Sequence, residues 1–100
     1  MLAIPLTVTL EKIEKELNVP REQLLREGIR RYLEFELRSL SAEILRIHAK
    51  YGVKSFNELW VKLEKGEVSE SECFDDLTKL EYLELRADKV RKILQEHLSA

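Results

Sequence analysis

Two histidines, His48 and His97, one cysteine, Cys73, and the adjacent Asp75 and Asp76 are the residues with the most chemistry to offer. A histidine serves as a base when a carboxylate orients it, and serves a nucleophile when a Ser or Cys lies in reach. His48 and His97 are far apart in the chain, and each stands at or beside an apolar seam. A packed histidine is the ordinary reading of such a position. A cysteine near a helix start can carry a lowered thiol pKa, but no histidine neighbours Cys73, so it reads as structural. Asp75-Asp76 can hold a cation, yet carboxylates at a helix start more often simply complement the helix dipole. There is no phosphate loop, nucleophile elbow or zinc spacing. The chain is expected to have no catalytic residue, no metal and no cofactor.

The acids do stand out by placement. The net charge is −2, with 36% charged and 44% apolar residues. Residues 1–50 carry nine bases and eight acids, and residues 51–100 carry eight and eleven. Seven acids lie between Glu67 and Glu84 against one base, Lys79. The same stretch holds Phe74, Tyr82 and Leu85, which fall off the main apolar seam of their helix. Aromatic anchors ringed by one sign of charge suit a partner of the opposite sign. Phe74, Asp75, Asp76, Leu77 and Tyr82 are therefore the expected contacts to a basic protein. A helix sandwiched inside a dimer would produce the same two stripes.

The elements that must position these residues are mostly helices. The longest stretch runs from Pro20 to Tyr51. Its apolar residues Leu25, Ile29, Leu33, Leu37, Leu40, Ile44, Ile47 and Tyr51 recur in steps of three and four, one stripe of a helix. Proline suits the first turn, and Gly52 suits a left-handed cap at the end. Unbroken, this helix would extend about 48 Å at ~1.5 Å per residue, against a radius of gyration of about 13 Å for a compact chain of this length. A break at Arg38–Ser41 is the alternative, but the apolar steps keep their phase through the serines. The stripe outlasts one small core, which predicts an elongated homodimer.

Ser55-Phe56-Asn57-Glu58 and Ser69-Glu70-Ser71-Glu72 are capping boxes. The first opens a helix ending near Gly66, with Phe56, Leu59, Trp60 and Leu63 inward. The second opens a last helix over about 72–98, with its seam at Leu80, Leu83, Ala87, Val90, Leu94 and His97. At the other end, Ile4, Leu6, Val8 and Leu10 alternate with Ala3, Pro5, Thr7 and Thr9. Period two predicts a short edge strand paired with a second copy, or else an extended arm. Thr9 would cap a short helix over 10–17.

Arg21-Glu22-Gln23-Leu24-Leu25-Arg26-Glu27-Gly28-Ile29-Arg30-Arg31-Tyr32-Leu33, after a strand and a short helix, resembles the second helix of ribbon-helix-helix proteins. Leu17 to Leu24 also resembles the turn of a helix-turn-helix. The resemblance implies DNA contacts from Thr7 and Thr9 on the strand and from Arg21, Arg26 and Arg30 to phosphates. The outward strand positions lack the usual Arg, Lys, Asn or Gln readers. A helix face decorated with ion pairs is the plain alternative.

Most of the chain is also similar to small antitoxins of type II toxin–antitoxin modules, broadly VapB-like. The similarity rests on Glu16–Pro20 with Leu24–Leu33, on Lys50–Leu59, and on Phe74–Glu84. It implies a part over 1–51 that dimerises and can bind DNA, and a helical part over 52–100 that neutralises a small toxin, often a ribonuclease. The expected protein is mainly α, with about four helices, a short N-terminal β segment and a ribbon-helix-helix-like start. The expected function is that of an antitoxin, with operator DNA as an optional second ligand, and the alternative is a stand-alone DNA-binding regulator of ribbon-helix-helix or helix-turn-helix type. Abundant Glu, Lys and Arg with few labile residues point to a thermophile. No signal peptide or apolar run of 18 residues is present, which predicts a cytoplasmic protein with no membrane partner.

Overall fold

The computed structural model describes residues 3–98. They form four helices: α1 Leu6–Leu17, α2 Arg21–Tyr51, α3 Phe56–Glu64 and α4 Glu70–His97. The chain divides into two units, Met1–Tyr32 and Leu33–Ala100. The division falls inside α2.

The N-terminal β segment is not there. No strand exists among the described residues, and the ribbon-helix-helix start falls with it. Residues 6–8 instead open α1, and Thr9 lies inside the helix rather than capping it. Pro5 is the N-cap, with φ −58° and ψ 141°. Its carbonyl accepts from the amides of Val8 at 3.0 Å and Thr9 at 3.4 Å. The alternation over residues 4–10 misled because Leu6, Leu10, Ile13 and Leu17 are spaced equally well for one helix face. A lone strand would leave its N–H and C=O groups unpaired, whereas a helix pairs them within itself.

In the first unit, Asn18 ends α1 in the left-handed conformation, with φ 56° and ψ 43°, which asparagine tolerates better than most residues. Val19 and Pro20 complete the turn into α2. Arg21 reaches back to Glu14 of α1, Nη2 to Oε1 at 2.9 Å. No described residue of this unit is buried.

The second unit holds the core. Its part of α2 passes Ser39–Ser41 without a break. Leu40 and Ile47 of α2, Val53, Leu59 of α3, and Leu77, Leu80, Leu83, Ala87 and Val90 of α4 form one buried cluster. Ion pairs fix the direction of the two long helices. Glu36 pairs with Arg86, Glu43 with Lys79 and Lys50 with Asp76. The first partner advances as the second retreats, so α2 and α4 run antiparallel here.

The short elements are pinned by their caps. Ser55 Oγ accepts from Glu58 N at 3.2 Å and starts α3. Ser69 Oγ accepts from Glu72 N at 3.3 Å and starts α4. Gly52, at φ 66°, ends α2, and the amide of Val53 donates to the carbonyl of His48 at 3.0 Å. That six-to-one bond is the Schellman closure, and it turns Val53 into the core.

Candidate functional site

Two faces of α4 separate the residues expected to meet a partner. Cys73, Leu77, Leu80, Leu83, Ala87 and Val90 follow one another in steps of three and four and are buried. Phe74, Tyr82 and Leu85 lie on the opposite side, 55%, 59% and 59% exposed. The second apolar line read from the sequence is therefore an outward face. Ile93 extends it and was not foreseen. Leu77 stands three residues before Leu80 and belongs to the core at 5% exposure, out of reach of any partner.

The acids divide in the same way. Asp76 points inward: its Oδ2 accepts from Lys50 Nζ at 2.7 Å and from Tyr51 Oη at 2.6 Å. Lys50, and then Tyr51, hold the Asp76 carboxyl below its usual range. The same carboxylate raises the Lys50 ammonium, while burial first and then Asp76 raise the Tyr51 phenol. Glu67, Glu70, Glu72, Asp75 and Glu81 are exposed. The one base of that segment, Lys79, is engaged with Glu43 of α2 at 2.5 Å. The outer apolar line thus begins among the exposed carboxylates Glu70, Glu72, Asp75 and Glu81, and runs on toward Lys89 and Arg91.

A junction that the sequence did not announce lies beside this face. Glu84 Oε2 is 3.0 Å from His48 Nε2 and accepts the Phe56 amide at 3.0 Å. One carboxylate oxygen thereby joins α2, the first turn of α3 and α4. The trio borders a cleft of about 460 Å³ with Ile44, Lys54, Glu81, Leu85 and Arg91. A histidine oriented by a carboxylate can move a proton. The cleft offers it no hydroxyl or thiol among the described residues. The sulfur of Cys73 is fully buried, and burial pushes its thiol up. It is inert where the sequence had left a lowered pKa open.

The candidate DNA contacts all lie in the first unit, on helices. Thr7 and Thr9 are exposed on α1. Arg21 holds Glu14, Arg26 holds Glu22 at 3.5 Å, and Arg30 stands 3.9 Å from Glu27. Any phosphate would compete with these carboxylates. Among the described residues no helix is long and apolar enough to cross a membrane.

No solved structure matches the chain. It is 37% identical over 75 residues to the uncharacterized protein MJ0235 of Methanocaldococcus jannaschii, a stretch covering 75% of this chain and 92% of that protein. Residues 1–100 match the family described as the uncharacterized protein MJ0235 family. The chain belongs to the MJ0235 family.

Proposed function

We propose that the chain is an antitoxin-like protein that docks a basic partner protein on the outer face of α4 and blocks it. What supports the reading is the line of Phe74, Tyr82 and Leu85 standing exposed beside the exposed carboxylates Glu70, Glu72, Asp75 and Glu81. A large apolar side chain left in water is a standing incentive to associate. The surrounding negative charge speeds encounter with a basic surface and disfavours acidic ones. A nucleic-acid-handling toxin has the required charge. The test is neutralisation, with the product of the neighbouring gene co-expressed with this chain. That product should arrest growth. Wild type should relieve the arrest, and Phe74→Ala with Tyr82→Ala should not. A neighbour that arrests nothing, or relief undiminished in the double variant, removes the reading.

A second reading, a DNA-binding regulator of helix-turn-helix type, draws on the three-residue connection Asn18-Val19-Pro20 between α1 and α2. Arg21, Arg26 and Arg30 would then exchange their glutamates for phosphates. Duplex binding that falls steeply with salt, and is lost in Arg26→Ala with Arg30→Ala, distinguishes it.

A further inference from the structure

The first unit has helices without a core. None of its described residues is buried, and α1 has no buried residue along its 12-residue length. Helices this short are marginal in water by themselves. Pieces below about 40 residues hold together through disulfides, metals or association. The chain's one cysteine, Cys73, lies in the other unit.

The apolar residues are nevertheless laid out as for a core. Leu6, Leu10, Ile13 and Leu17 share one side of α1. On α2, Leu25 and Ile29 follow one another at helical spacing within this unit. Leu25 is 44% exposed and Ile29 49%.

The charges indicate what kind of surface fits. Residues 1–32 carry six bases and five acids. Lys12 pairs with Glu16, Arg21 with Glu14 and Arg26 with Glu22, all inside the unit. A strongly charged partner would gain little from so balanced a face. A second copy brings the same balance and the same apolar rows, as a two-fold interface requires.

We infer that residues 3–32 are a self-association face. α1 and the start of α2 from two copies bury Leu6, Leu10, Ile13, Leu17, Leu25 and Ile29 against one another as a four-helix core. This inference does not rest on the partner surface of α4.

Light scattering and far-UV circular dichroism on the full chain test it. Wild type at about 200 µM should show twice the 11.8 kDa chain mass. Dilution to the monomer should lose helix signal from α1, while the thermal transition of residues 33–98 persists. Ile29→Asp should raise the dimer dissociation constant more than about tenfold, and Tyr82→Asp, on α4, should leave the mass unchanged. Should Ile29→Asp fail to fold, the dilution of wild type still decides. A monomeric wild type at the highest concentration overturns the inference. So does full helicity retained after dilution to the monomer. So does a dimer lost in Tyr82→Asp and kept in Ile29→Asp.

Discussion

The hydroxyl of Tyr51 donates to Oδ2 of Asp76 at 2.6 Å, joining the last residue of α2 to the second turn of α4. The same oxygen accepts from Lys50 at 2.7 Å. The end of one long helix, just before the turn at Gly52 into α3, is thereby tied to the start of the other. Tyr51→Phe removes one donor and leaves the ring in place. It should cost roughly 0.5–1.5 kcal/mol, measured as a shift in urea midpoint at constant slope.

Acid should loosen the second unit in a defined window. The folded Asp76 carboxyl is held below its ordinary 3.8 by Lys50 and Tyr51. Arg46 first, then Lys79, hold Glu43 down to about 2 against its ordinary 4.5. Depressed carboxylates bind fewer protons folded than unfolded. Their contribution is complete above the ordinary values and is lost as pH falls through 4.5 and 3.8 toward the folded ones. Asp76→Asn with Glu43→Gln should flatten stability against pH between about 5 and 2. A melting temperature that keeps its full slope in the double variant would show that other acids dominate.

Two leucines on opposite sides of α4 should behave in opposite ways. Leu80 is fully buried and Leu85 is exposed. Leu80→Ala should destabilise by about 2–5 kcal/mol through the cavity it leaves. Leu85→Ala should stay within about 0.5 kcal/mol in the free protein, and its effect should appear only in partner affinity.

Tyr82→Ala tests the partner surface by rates. An aromatic anchor that becomes buried on docking should, when truncated, speed dissociation and cost roughly 1–3 kcal/mol in affinity. Asp75→Asn with Glu81→Gln should instead slow association, most at low salt. If Tyr82→Ala lowers the melting temperature of the free chain and leaves affinity unchanged, the face is internal to an assembly of this protein.

The parts of this architecture that were legible in the sequence are those decided within a few residues. Ser55 and Ser69 announce α3 and α4 because a cap needs only its own hydroxyl and an amide three positions on. The unbroken passage of α2 through Ser39–Ser41 followed from the phase of Leu37, Leu40 and Ile44. Residues 4–10 read as a strand because Leu6 and Leu10 belong both to the alternation and, with Ile13 and Leu17, to a helix face, and the deciding fact was the lack of a second strand to pair with. Leu77 stands beside Asp75 and Asp76, but its phase, three before Leu80 and four after Cys73, puts it in the core. His48 and Glu84 are 36 positions apart. Their meeting depends on the antiparallel register of α2 and α4, which no local pattern carries.

The single thiol has a practical consequence. Cys73 faces inward from the first turn of α4 and is fully buried, so a sulfhydryl reagent reaches it only when that end of the helix lifts. Under conditions where closing outpaces reaction, the labelling rate becomes a direct gauge of the free energy of that opening. The native molecule thereby contains its own reporter for whether a ligand on the neighbouring face clamps the helix or pries it loose. Protection from the reagent would mean clamping, and acceleration would mean that occupancy is coupled to partial unfolding.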